Sequence, residues 1–160
     1  MIVERLLYPE MRQFVETISY SPTVGFRAIG QLNSCGDVIA AVGYDCWTPN
    51  SVQVHIWIPQ PKLVVRKFLQ EGFRYPFEMC GRGLVVGLTP GNNAAALSFN
   101  KRVGFKEVYR MHDAWDVGVD VVVQEMRREN CRWLRRKHGL AEETTEAHDE
   151  NSGSSRVEAT

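Results

Sequence analysis

The residue best suited to move a proton is His55, inside the run Ser51 to Ile58. Val52, Val54, Ile56 and Ile58 alternate there with Gln53, His55 and Trp57. That period of two gives a strand one apolar face and one mixed face. An imidazole on the mixed face titrates near neutrality and can accept a proton at physiological pH. The same position also suits a histidine packed beneath a helix or bonded to backbone. Tyr44 and Asp45, in the neighbouring run Val38 to Trp47, are the next candidates for catalysis or for holding a substrate. An aspartate at a hairpin end equally serves structure alone. Asp120 and Glu125 lie in a later run and are weaker candidates, and Trp47, Trp57 and Trp115 read as core or lining.

A second polar group belongs to "NNAAALSFNKRVGF", Asn92 to Phe105. An asparagine just before a helix caps orphan backbone N–H groups with its side-chain oxygen, or offers its amide to a ligand. The alanines keep the first turns thin, so a large group could lie close to the backbone. Gly104 stands where a helix ends in a left-handed residue, and Phe105 returns to the core.

The elements that must position these residues follow from periodicity. "MIVERLLY" reads as a short edge strand, and "EMRQFVETISY" as an amphipathic helix behind Pro9. "FRAIGQL", "VIAAVGYDCW" and "SVQVHIWI" read as an antiparallel meander, divided by "NSCGD" and "TPN". "LVVRKFLQEGF" has a helical period through Leu63, Val64, Phe68 and Leu69, and Pro76 is expected to stop that helix. "GLVVGLTP" is a strand, Asn92 to Phe105 a helix, and "FKEVYRM" and "VDVVVQEM" two closing strands. A helical crossover from "SVQVHIWI" to "GLVVGLTP" requires these two strands to be parallel. "RRENCRWLRRKHGL" reads as a terminal helix or partly ordered basic segment; it could dock on phosphate or nucleic acid, or be a solvated helix.

Composition narrows the class. The chain has 160 residues, with 19 Lys and Arg against 19 Asp and Glu. That is one domain's length, and no basic excess points to nucleic acid as the main partner. Cys35, Cys46, Cys80 and Cys131 are scattered without a Cys-x-x-Cys pair. They read as buried thiols of a reducing compartment, in a cytoplasmic protein, rather than as a metal or redox motif. No signal peptide or membrane span is read, and 135–160 reads as a basic, then acidic, disordered tail.

The stretch Asn92–Phe105 resembles the conserved helix of the GNAT superfamily, the acyl-CoA-dependent N-acyltransferases. Asn93, Ala96, a following aromatic residue and Gly104-Phe105, eleven residues after Asn93, match its spacing. "VHIWIP" and the helix after it resemble that family's central strand and crossover, and "GLVVGLTP" its next, splayed strand. "FKEVYRM" and "VDVVVQEMRREN" resemble its closing hairpin. The stretch from "FRYPF" to "MRRENCRWL" is similar to a GNAT-like branch of bacterial and tailed-phage genomes. The likeness spans roughly 1–134. It implies an α/β (α+β) fold: a mixed, partly parallel, twisted sheet of six to seven strands with helices on both faces.

The resemblance also implies acetyl-CoA or another acyl-CoA as cofactor and an amine as acceptor, in a monomer or homodimer without membrane contact. Ile56, Trp57, Ile58, Leu88 and Thr89 would flank the pantetheine arm, Asn93 would hold it, and Lys101 or Arg102 could meet phosphates. In typical members a glycine-rich loop cradles the pyrophosphate at a helix start. Here "PQPKLVVRKF" stands there, so Gln60, Lys62 and first-turn amides would substitute, with Arg66 adding charge. The tyrosine that often protonates the leaving thiolate falls at Asn100, which could hydrogen-bond the sulfur instead. His55 would be the base for direct attack by the amine. Two other readings share the fold: a GNAT-fold binding or structural module without catalysis, and a nucleic-acid-modifying member.

Overall fold

The computed structural model describes residues 2–3, 23 and 25–134. The helix expected at "EMRQFVETISY" and the tail expected at 135–160 lie outside the described residues. The remainder forms a seven-stranded sheet. In chain order the strands are β1 Ile2–Val3, β2 Arg27–Leu32, β3 Val38–Asp45, β4 Ser51–Trp57, β5 Leu84–Pro90, β6 Lys106–Asp116 and β7 Val119–Arg127. The spatial order is β1-β2-β3-β4-β5-β7-β6. All neighbours are antiparallel except β4 and β5, which run parallel. The expected meander and parallel crossover are therefore present. The closing hairpin folds back so that β7, the later strand, pairs with β5 and leaves β6 at the edge.

Side-chain hydrogen bonds set the meander's turns. Asn33 Oδ1 accepts from the Cys35 and Asp37 amides, each at 2.9 Å, and closes the first. In the second, Thr48 Oγ1 accepts from Ser51 N at 2.8 Å. These local bonds give the chain an alternative to continuing the strand ladder.

Two helices follow the central strands: α1 Arg66–Arg74 and α2 Ala94–Val103. Both pack on one face of the sheet and share one core with Val42, Val52, Val54 and Val85. Phe73 of α1 and Phe105, just past α2, meet there with ring centroids 6.0 Å apart. On the opposite face Ala28 and Ala41, with Phe26, Val38 and Trp57, make a smaller cluster. Gly104 closes α2 with φ of 122°, and an added Cβ would lie 3.2 Å from Met126 Cε. The conformation demands glycine there, and a side chain would also have to displace the end of Met126. Trp133 Nε1 donates to Val103 O at 2.8 Å, and its ring stacks on Phe73. Of the expected terminal helix or basic segment, 127–140, the described part holds a 3-10 turn, Arg128–Asn130, and residues that clasp the end of α2, while 135–140 lie outside the described residues.

Pro76 does not stop α1 as expected. The helix passes into a wider π turn, Tyr75–Met79, closed by Cys80 N on Tyr75 O at 3.0 Å. Proline has no N–H, so Gly72 O loses its usual partner four residues on. The Tyr44 hydroxyl donates to that carbonyl instead, at 2.6 Å.

Candidate functional site

β4 and β5 pair through four registers and then part. Their ladder runs from Ser51–Leu84 to Val54–Gly87 and stops. Beyond it β4 stays with β3 as far as Trp57–Ala41, while β5 stays with β7 as far as Pro90–Val121. The facing edges of His55–Trp57 and Leu88–Pro90 therefore have no strand between them. A cleft of about 820 Å³ occupies the gap, walled by both strand ends, by α2 and by Trp115 from the end of β6. Parallel strands that diverge expose backbone donors and acceptors that an extended, amide-bearing ligand can pair with as an added strand.

His55 lines this cleft. Burial outweighs the pull of Asp45 and lowers its pKa from 6.5 to about 4, so the imidazole is neutral at physiological pH. Ile56, Trp57, Ile58, Leu88, Thr89, Asn93 and Asn100 line the same cleft. The structure does not bring Tyr44 or Asp45 to it. Tyr44 is fully buried in the helix-side core, bonded to Gly72 O, and burial pushes its pKa well above the usual phenol value. Asp45 is fully buried too. Its carboxylate accepts from Thr23 N at 2.8 Å, from the Thr23 hydroxyl, and from Cys46 N at 2.9 Å. Burial alone would raise its pKa, but these bonds and the nearby His55 hold it below the ordinary value. This aspartate pins the chain at the strand end, where Cys46 has φ of 50°. Cys46 there and Cys35 in the first turn are exposed rather than buried as expected, because both sit in turns outside the core, whereas Cys131 is buried. Glu125 bonds Arg127, and Asp120 pairs with Arg110 and His112 outside the cleft lining.

The second wall is α2. Asn93 Oδ1 caps it, accepting from Ala96 N at 3.0 Å. Asn100 belongs to a polar trio that spacing alone did not reveal. Its Nδ2 donates to Gln124 Oε1 at 2.7 Å and to Thr89 Oγ1 at 3.2 Å, and Thr89 Oγ1 donates to Gln124 Oε1 at 3.2 Å. A side-chain amide has two N–H donors, and both are spent on the wall. What Asn100 has left for a ligand is its carbonyl oxygen. Gln124 was missed by sequence reasoning. Its signal was present: with Val122 and Met126 it lies on the alternation face that faces the core, and it is 4% exposed.

The entry to α1 differs from a glycine-rich loop. Gln60 is followed by a 3-10 turn, Pro61–Leu63, and both Gln60 and Lys62 are exposed and outside the cleft lining. Gln31 fixes the turn, donating from Nε2 to Leu63 O at 2.8 Å and accepting from Val65 N at 3.1 Å. α1 then begins with Arg66 and Lys67, without a side-chain cap or an acidic residue in its first turn. Two cations at the positive pole of a helix are unfavourable alone and favour an anion there. Arg102 lines the cleft from α2, while Lys101 is exposed beside it. Among the described residues no group of three or more His, Cys, Asp and Glu side chains is placed to hold a metal. Nor, among them, is any helix long and apolar enough to cross a membrane.

The fold implied by the GNAT resemblance is the fold observed, and solved N-acetyltransferases share it. One is spermidine N-acetyltransferase from Vibrio cholerae in complex with CoA and spermine. It superposes with a TM-score of 0.66 at 14% identity, over 81% of this chain and 96% of that one. Mutant forms of the spermidine/spermine N-acetyltransferase SpeG from the same organism align with a TM-score of 0.66 at 15% identity, again over 81% and 96%. No family model matches the sequence, and no curated protein matches it.

Proposed function

We propose that the protein is an acyl-CoA-dependent N-acyltransferase that transfers an acetyl or related acyl group to an amine. The observation that carries this reading is the parting of β4 and β5 beyond Val54–Gly87, with the cleft that it opens. The residues present fit the cofactor. Strand edges at Ile56–Ile58 and Leu88–Thr89 can pair with amides of the pantetheine arm, and the uncapped, basic start of α1 can take phosphate. Gln60 and Lys62 belong to that phosphate end. Asn93 holds α2 in place by its cap and has its amide donors for the ligand.

When bound, acyl-CoA supplies an activated thioester, whose acyl carbon passes to nitrogen while sulfur keeps the electron pair of the broken bond. This chain's residues orient the partners and handle the proton. His55, neutral in its buried setting, is the proposed proton acceptor, directly or through water. Unpaired strand N–H groups beside it can stabilise negative charge on oxygen. Asn100 is a positioning residue here, since its donors are held by Thr89 and Gln124. With the Asn100 donors held, solvent rather than a side chain of this protein would supply the proton that the sulfur takes. We also include in this reading a place in the bacterial and tailed-phage branch and in the cytoplasm, in a domain reaching to residue 134.

Calorimetry with acetyl-CoA tests cofactor binding, and release of free thiol with an amine panel tests catalysis. Absence of binding at millimolar acetyl-CoA would overturn the reading. Binding without thiol release from any amine would favour the second one, a GNAT-fold binding module. The spent donors of Asn100 and the low basicity of His55 favour that alternative.

A further inference from the structure

We propose that the acceptor taken by this cleft is an apolar, weakly basic amine of the arylamine type, and that polycationic amines are poor substrates. This rests on the acyltransferase reading and gives it a substrate class. The cleft that His55 lines has largely apolar walls: Ile56, Trp57, Ile58, Leu88, Phe99 and Trp115. Of the described residues that line the cleft, the ionisable ones are His55 and Arg102. An alkylammonium entering the cleft would leave water for apolar walls, and the other ionisable residue of the lining, Arg102, carries a charge of its own sign.

Magnitudes favour the neutral acceptor. Taking an ammonium out of water costs several kcal/mol even after relaxation, unless an anion pairs with it. Stacking of the cation on Trp57 or Trp115 returns only about 0.5–2 kcal/mol. A polyamine would incur the desolvation cost at more than one nitrogen. An arylamine is neutral at physiological pH, escapes that cost, and presents a ring to the aromatic walls. The imidazole reports the same environment, since burial already holds His55 uncharged. A base of that kind cannot deprotonate an alkylammonium efficiently, but it suits a nitrogen that arrives with its lone pair free.

The test uses the full chain. Acetyl-CoA is first titrated by calorimetry; if it fails to bind, the acyltransferase reading falls and this proposal with it. With acetyl-CoA bound, p-toluidine and spermine are compared by thiol release. Their binding to the CoA-saturated protein is then compared by calorimetry. The expected result is kcat/KM and affinity both about tenfold or more in favour of p-toluidine, equal to about 1.4 kcal/mol. Equal or better use of spermine would overturn the proposal while leaving the acyltransferase reading intact. So would cofactor binding with neither amine used. Leu88→Asp places an anion in the lining and is expected to shift the preference toward spermine by about tenfold. Ser98→Asp, on the exposed surface of α2, serves if circular dichroism shows the first variant unfolded. An unchanged preference in a folded variant would also overturn the proposal.

Discussion

At the scale of single residues, His55 combines a place in the cleft with a depressed pKa. The unfolded imidazole titrates near 6.5 and the folded one at about 4, so between those values the unfolded chain binds the extra proton. The stability that His55 contributes is fully present above pH 6.5 and is lost as pH falls toward 4. Its size is on the order of 3 kcal/mol. His55→Gln should therefore flatten the fall in melting temperature between pH 6.5 and 4. An unchanged slope in that window would mean that His55 is not buried as described. In kinetics, kcat/KM for a weakly basic amine should show no imidazole inflection near pH 6.5, because the folded group titrates lower. Asp45 acts in a separate, more acidic window. Its pKa is lowered on folding, so its contribution is lost only as pH falls through the folded carboxylate value.

At the scale of elements, two arrangements hold the site in shape. Tyr44 fills the carbonyl that Pro76 leaves open in α1. Tyr44→Phe should cost about 1–3 kcal/mol, since it leaves Gly72 O buried without a donor. In the Pro76→Ala background the cost should shrink, because alanine restores an N–H where α1 now lacks one. Equal costs in both backgrounds, measured by urea titration, would disprove the link. The trio of Thr89, Asn100 and Gln124 holds the α2 wall against β5 and β7. Gln124→Leu should destabilise by about 1–3 kcal/mol by orphaning the Asn100 amide. The pair Gln124→Leu with Asn100→Leu should cost less than the two single changes added together. Simple additivity in a double-mutant cycle would show that the bonds are not coupled.

At the scale of the whole molecule, the sheet is two sections joined by a short parallel ladder. β1 to β4 form one, β5 with β7 and β6 the other, and four registers between β4 and β5 link them. A ligand bound between the parted ends should act as a further link. Acetyl-CoA at about 100 times its Kd should stabilise the protein by about 2.7 kcal/mol, seen as a raised melting temperature. Hydrogen exchange should slow at amides of residues 56–58 and 88–89 more than at β2 or β6. Protection spread evenly over the sheet, or confined to β6, would argue against a cofactor in the cleft.

Much of this was legible in the chain. Alternation through Val52 to Ile58 marked β4 and put His55 on its mixed face, because strand periodicity is local and survives any tertiary arrangement. Asn93 and Gly104 marked both ends of α2 for the same reason: caps act within one turn. Tyr44 and Asp45 looked chemically able, but one turns into the core and the other into a strand-end clasp, and burial is a property of packing. Gln124 was readable only as a polar residue at a core-facing position; its partners lie 24 and 35 residues away in sequence. Local sequence determined the described strands, the bodies of α1 and α2 and the parallel crossover. Only the tertiary structure decided that β7 slips between β5 and β6 and that β4 and β5 part after four registers. Those outcomes depend on which distant surfaces bury each other.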